Sequence, residues 1–253
     1  MSELLRLRDL RLAYTSERLV LRDIDLVIHE GDVTGLIGES GSGKTTIARL
    51  LSGELEAEAG QILYAGTDIT HLRGAARRRA TAGMSMVFQD PYTSLDPWRS
   101  VAAQVEESLI IRGERDREAR RRRVDAILRA VGLDPERYGE RVPAELSGGQ
   151  RQRVAIAAAT VARPRLLIAD EAVSALDIPV QAQILNLLSL LSGSMGFACL
   201  FISHDLNVVA WLCDHVAVLH EGEIVEYGET ERVFTAPRHP RTQALVRRLA
   251  PDP

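Results

Sequence analysis

Apolar and polar residues alternate near the start of the chain. Leu5, Leu7, Leu10, Leu12 and Tyr14 largely keep the two-residue period of a half-buried strand, and Ile24, Leu26 and Ile28 repeat it. Ser16-Glu17-Arg18 between them is polar and suits a turn. Val33 to Ile37 is a short apolar run that reads as a buried strand, and Thr46 to Leu51 reads as a helix. Gly60 to Ile69 reads as a short strand with a turn at Gly66, and residues 73–83 are basic and alanine-rich. Met84 to Phe88 is apolar and ends at Gln89; residues 90–98, with two prolines and several turn formers, read as a loop.

The period then changes. Val101, Val105, Leu109, Val124, Ile127, Leu128 and Val131 fall at helical spacing, so 101–133 reads as a helical insertion into an α/β core. Within it, Arg112 to Arg123 is dense in charge of both signs and reads as a solvated helix face. Residues 151–157 form an alanine-rich helix. Leu166 to Ala169 is a buried strand ending in Asp170-Glu171. A helix through Ile184, Leu187, Leu188 and Leu191 follows, then the strand Ala198–Ile202. Val216–Leu219 and Glu223–Tyr227 read as a hairpin about His220-Glu221-Gly222. The short basic tail, Pro237 to Leu245, has no bottom-up account.

Between the strand at 33–37 and the helix that follows lies Gly38-Glu39-Ser40-Gly41-Ser42-Gly43-Lys44-Thr45-Thr46. It fits G-x-x-x-x-G-K-[ST] in the strand–loop–helix context that makes the pattern a phosphate site. Glycines let backbone N–H groups converge on phosphate oxygens, and the helix N-terminus adds partial positive charge. Lys44 can reach the β- and γ-phosphates, and the Thr45 hydroxyl can bind Mg²⁺. A dinucleotide fingerprint would need a third small residue after Gly41-x-Gly43, which is missing.

Other candidates lie along the chain. Tyr14 is a packed strand aromatic or a stacking surface for a base. Gln89 is a polar strand terminus, or it reaches a metal or an attacking water. Ser147-Gly148-Gly149-Gln150 caps the helix after it and offers a second anion-binding helix start, about 100 residues from the first. Asp170 can hold Mg²⁺ directly or through water, and Glu171 can orient or deprotonate a water, both at the C-terminal edge of a strand, where open α/β sheets bind ligands. His204 follows a strand in the same way and is either a cap or a contact for the γ-phosphate or water.

Bulk properties narrow the classes. A net charge of −4, from 31 basic and 35 acidic residues, gives no electrostatic case for nucleic acid. No apolar run approaches the roughly 20 residues that span a bilayer, and MSELLRLRDL has no signal-peptide core. A cytoplasmic protein that docks on a membrane partner is expected. Cys199 and Cys213 show no metal-ligand spacing and read as small buried residues.

Taken in order, the P-loop, Gln89, LSGGQ, Leu167–Glu171, Ser174-Ala175-Leu176-Asp177 and His204 resemble the nucleotide-binding subunit of an ABC transporter, over nearly the whole chain. The resemblance implies a P-loop NTPase core with an N-terminal antiparallel β-subdomain and an inserted α-helical subdomain. The whole chain, 1–253, would be one ABC ATPase domain. Residues 1–100 and 151–235 would form the ATP-binding core, 101–150 the helical subdomain with the signature, and 236–253 the tail. It also implies ATP and Mg²⁺ as cofactors, with Tyr14 as the base-stacking aromatic and 38–46 as the Walker A loop. Gln89 becomes the Q-loop glutamine on Mg²⁺ and Ser147 to Gln150 the signature. Asp170 is then the Walker B aspartate, Glu171 the general base, Asp177 the D-loop aspartate and His204 the switch histidine. FQDPYTSLDP, Val180-Gln181-Ala182-Gln183 after SALD, and HPRTQAL resemble the oligopeptide, dipeptide and nickel importer branch, and within it the second of two paired ATPases. Ala172-Val173 departs from the Pro or Thr of many relatives, and the cysteine-bearing extension of some is missing, so no iron–sulfur cluster is expected.

In that architecture two ATPase subunits, identical or paralogous, face head to tail. They work at the cytoplasmic face of the membrane on transmembrane permease subunits, and an extracytoplasmic solute-binding protein supplies cargo. An accessory ABC ATPase of a soluble complex such as carbon–phosphorus lyase is the alternative.

Overall fold

The computed structural model describes residues 2–15, 18–88 and 94–247. In chain order its strands are β1 (Glu3–Thr15), β2 (Arg18–His29), β3 (Val33–Gly38), β4 (Ala59–Tyr64), β5 (Thr67–Asp68), β6 (Met84–Val87), β7 (Leu166–Asp170), β8 (Ala198–Ile202), β9 (His215–His220) and β10 (Glu223–Glu229). Its helices are α1 (Lys44–Ser52), α2 (Gly74–Ala80), α3 (Val101–Ile111), α4 (Arg117–Ala130), α5 (Pro135–Tyr138), α6 (Gly148–Thr160), α7 (Ile178–Met195), α8 (Leu206–Leu212), α9 (Thr230–Thr235) and α10 (Pro240–Arg247). The chain divides into two units: Met1–Thr81 with Gly196–Pro253, and Ala82–Met195.

In the first unit β1 and β2 run antiparallel, with Leu5 opposite Ile28, Leu7 opposite Leu26, Leu10 opposite Ile24 and Leu12 opposite Leu21. All eight are buried. The hydrophobic alternation slips between Leu7 and Leu10, and again between Leu21 and Ile24. A one-residue slip would turn every later side chain to solvent. Both slips are absorbed where the ladder is irregular, at Asp9 and Asp23, whose φ angles are 44° and 47°. A short polar side chain tolerates this left-handed region better than most, and the extra residue returns the following leucines to the buried face. The Arg11 guanidinium donates to the Asp23 carboxylate beside the kink. β4 pairs with the other edge of β1 and turns back into β5, giving the order β2-β1-β4-β5.

The same unit holds β3 between parallel β8 and β9, with β10 antiparallel on β9. Every residue of β3 and β8 is buried, as expected for parallel strands covered on both faces. The tail docks on β10. The Glu226 carboxylate accepts the N–H groups of Arg238 (2.9 Å) and His239 (3.0 Å), and the Gln243 amide donates to the Pro237 carbonyl (3.1 Å). Thr242 of α10 is fully buried.

In the second unit β6 and β7 are parallel, from Met84 opposite Leu166 to Val87 opposite Ala169. The helical stretch 101–133 is two helices: α3 ends at Ile111 and α4 begins after Asp116, whose carboxylate accepts the N–H groups of Glu118 (2.9 Å) and Ala119 (3.1 Å). The charged run between them is not only a solvated face. Arg123 donates to the carbonyl of Val161 (2.9 Å) and Arg112 to that of Ala162 (3.2 Å), so two arginines meet carbonyls just past the end of α6. Arg120 pairs with Glu106 at 2.8 Å, linking α4 to α3. Among the described residues no helix is long and apolar enough to cross a membrane.

Candidate functional site

In the first unit the apolar run of β3 ends at Gly38, and the loop from Glu39 to Gly43 leads into α1. Gly38 is required by its own fold. A Cβ there would stand 2.1 Å from the Leu219 carbonyl oxygen of β9 and 2.8 Å from the Ser42 hydroxyl. The Lys44 side chain folds back and donates from Nζ to the carbonyls of Gly38 and Glu39, both at 2.9 Å. The ammonium is therefore buried yet hydrogen-bonded, as a buried charge must be. The Ser42 N–H is taken by the Glu39 carbonyl (3.2 Å), and Ile47 makes the first intrahelical bond, to Gly43 (3.0 Å). N–H groups ahead of Ile47 therefore crown the helix N-terminus, where the backbone attracts anions. Glu39, Ser40, Gly41 and Thr45 face solvent, while Ser42, Gly43 and Thr46 are buried.

A turn from the far end of the sequence holds this loop from outside. Gly222, between β9 and β10, donates its N–H to the Ser42 carbonyl (3.1 Å) and accepts from the Arg22 N–H of β2 (2.7 Å). The peptide plane is rigid and trans. With the Ser42 carbonyl held toward Gly222, the Gly43 N–H of the same trans peptide points the opposite way. The sequence reading recognised a hairpin at 220–222 but not its partner loop, because the contact crosses some 180 residues of chain.

His204 lies at the same strand edge. β3 and β8 are in register at Leu36 and Ile202, and the Ser203 N–H donates to the Leu36 carbonyl (3.3 Å). Ser203 accepts from the Asp205 N–H (3.0 Å), and Asp205 in turn caps α8 through the Asn207 N–H (2.9 Å). His204 is thus presented between two turn-forming residues, exposed, while Ser203 is buried. Tyr14 belongs to β1; its side chain lies outside the described ones.

The second unit gathers the other candidates, except Gln89, which lies outside the described residues. Asp170 ends fully buried β7 and is 5% exposed. Glu171 has a φ of 46°, a strained conformation for a non-glycine residue of the kind that collects at functional sites. Its carbonyl accepts the Ser174 N–H (3.1 Å) and hydroxyl (3.0 Å), which closes the turn. Asp177 caps α7 through the Val180 N–H (3.0 Å).

Ser147 caps α6 in a reciprocal box. Its hydroxyl accepts the Gln150 N–H (3.3 Å), and the Gln150 side-chain carbonyl accepts the Ser147 N–H (3.0 Å). Gly149 presses on α7: a Cβ there would meet Val180 Cγ1 at 2.6 Å. The turn 147–150 and the residues after Asp177 are therefore neighbours. Spacing in sequence gave no hint of this. The oxygen-donor chemistry of Thr45 in the first unit, and separately of Asp170 in the second, is of the kind that suits a hard cation such as Mg²⁺.

This combination of glycine-rich loop, buried lysine and acid-tipped strand is that of a P-loop nucleotide-hydrolysing domain. Residues 21–174 match the family described as ABC transporter. The chain belongs to that family and is an ATPase with its nucleotide-binding fold. It is 40% identical over 256 residues to the oligopeptide transport ATP-binding protein OppF of Lactococcus lactis subsp. lactis (strain IL1403), covering 97% of this chain and 80% of that protein. A putative peptide import ATP-binding protein of Brucella ovis is 42% identical over 254 residues, covering 99% and 80%. Among solved structures, cbiO1 from Clostridium perfringens, part of the ABC transporter complex cbiONQ, superposes with a TM-score of 0.85 at 29% identity, covering 98% of this chain and 100% of that one. An ATP-binding cassette solved as a dimer in a post-hydrolysis state with ADP and Pi gives 0.79 at 29% identity, covering 89% and 98%.

Proposed function

We propose that this chain is the ATP-hydrolysing subunit of an importer for peptides or a related small solute. It would work at the cytoplasmic face of the membrane, on permease subunits served by a solute-binding protein. The observation that carries the reading is the presence of two anion-binding helix starts, at α1 and at α6, in one chain. A head-to-tail pair of such subunits uses both, with the P-loop of one subunit and the Ser147–Gln150 turn of the other on each nucleotide. The similarity to peptide transport and import ATP-binding proteins favours transport over service to a soluble enzyme complex.

In the reaction, a water attacks the γ-phosphate in line. Lys44 and the N–H groups of the P-loop bind the phosphates and offset the charge that develops on them. Glu171 holds and polarises the attacking water, and His204 contacts the γ-phosphate or that water. The Ser147–Gln150 turn supplies a second positive helix end to the partner's nucleotide. Thr45 and Asp170, with Gln89, would hold Mg²⁺, which supplies charge neutralisation at the β- and γ-phosphates. Tyr14 would stack on the base, and Asp177 would lie beside the signature turn at the subunit interface.

Glu171→Gln tests the base. Nucleotide binding is expected to persist while turnover falls by at least about a hundredfold, and ATP should drive the variant into a stable dimer on size exclusion. Near-normal hydrolysis by that variant would remove Glu171 from the role.

A further inference from the structure

We propose that Tyr138 is a positioning residue for the signature helix, acting through Gln150 on the N-terminus of α6. The proposal rests on the reading that this helix end faces a nucleotide. Tyr138 is the only aromatic residue between Trp98 and Phe197. It ends the short helix α5, which Asp134 caps through the Glu136 N–H (3.1 Å). The Gln150 side-chain amide donates to the Tyr138 hydroxyl oxygen at 3.2 Å. The other end of the same amide accepts the Ser147 N–H (3.0 Å), and the Gln150 backbone N–H reaches the Ser147 hydroxyl (3.3 Å). Gln150 is thereby held from both sides, its oxygen toward the signature serine and its nitrogen toward the phenol. The Ser147 N–H is consumed within the box, so the outward donors of the turn belong to the residues after it. A rotation of the Gln150 side chain would release the Ser147 N–H and loosen the cap.

Tyr138 can serve as an anchor because its own position is fixed. The guanidinium groups of Arg137 and Arg141 lie 5.2 and 4.9 Å from its ring centroid, within cation–π range. The carbonyls of Gly139 and Arg141, just after it, accept the N–H groups of Ala102 (2.9 Å) and Val101 (2.8 Å). Those are orphan donors of the first turn of α3. The segment 138–141 thus ties the start of α3 to the start of α6. The phenolic oxygen is the atom of that tie that touches the signature box.

The test uses Tyr138→Phe, which keeps the ring and both cation contacts and removes only the oxygen, alongside Gln150→Ala and the double variant in the full-length protein. Tyr138→Phe is expected to lower kcat about three- to tenfold, the scale of one hydrogen bond. Nucleotide affinity should stay within about twofold, since the P-loop is untouched, and amide exchange at Ser147 should accelerate. In the Gln150→Ala background the Tyr138 substitution should do nothing further, because its effect passes through that amide. Wild-type kcat and exchange in Tyr138→Phe, an undiminished effect without Gln150, or a loss that merely follows a fall in Tm would each overturn the proposal. Ser147→Arg separates the two levels of inference. If that variant hydrolyses ATP normally, the nucleotide-facing reading of α6 fails and takes the proposal with it. If it is inactive while Tyr138→Phe is normal, only the role of Tyr138 fails.

Discussion

Burial decides what the two thiols of this chain can do. Cys199 sits within β8 and Cys213 just after α8, both buried. Burial pushes the Cys199 thiol up to about 12 and the Cys213 thiol well above the ordinary range. Only the thiolate is nucleophilic. A thiol reagent such as DTNB at pH 8 is therefore expected to leave the native chain unmodified and to titrate both cysteines on unfolding; rapid labelling of the folded protein would contradict this. Single residues divide sharply in how well sequence exposed them. The local placements of Gly38, Lys44 and Ser147 were legible because they depend on near neighbours in sequence, such as the strand that ends at Gly38 and the helices that begin at Lys44 and after Ser147. Tyr138 and Gly222 were not, since each acts on a loop whose proximity only the fold creates. The lone aromatic in almost a hundred residues was the one hint at Tyr138.

Elements were legible where one face is apolar and hidden where a local exception repairs the pattern. The near-alternation of β1 and β2 identified the strands, but not that Asp9 and Asp23 bulge to rescue it. Periodicity found the helical insertion but not its break, because the charged run from Arg112 to Arg123 carries no apolar period to mark where α3 ends and the cap at Asp116 starts a new helix. The tail has too few apolar residues to signal α10, whose start is held by the Glu226 carboxylate through the N–H groups of Arg238 and His239. The Asp116 cap carries a pH prediction. Bonds from the Ala119 and Glu118 N–H groups hold its carboxyl below the ordinary range. A depressed value stabilises the fold above the unfolded value of about 3.9, and that contribution disappears as pH falls through the folded value. Asp116→Asn keeps a capping oxygen without the charge. The urea midpoint of the variant should vary less than that of the wild type between about pH 5 and pH 3; parallel curves would show that the cap does not titrate in this window.

At the scale of the molecule, the proposed head-to-tail pairing of P-loop and signature turn would require a second copy or a paralogue to complete each site. ATPase activity per subunit is expected to rise with protein concentration, while nucleotide affinity measured at high dilution stays nearly constant. Activity independent of concentration, in a protein shown by light scattering to remain monomeric, would overturn the paired arrangement. Adding the paralogous ATPase, if it is the natural partner, should raise the rate at a concentration where this chain alone is nearly silent.

The turn at Gly222 also has a consequence for the order of events during synthesis. The phosphate motif leaves the ribosome well before the segments that bracket it. The strands that flank β3 come from residues 198–202 and 215–220, and the N–H that fixes the Ser42 carbonyl comes from residue 222. A nascent chain of 200 residues therefore carries the whole motif without the brackets that shape it. The shape of the loop that would hold the phosphates is therefore completed only once residue 222 has been made, well after the motif itself.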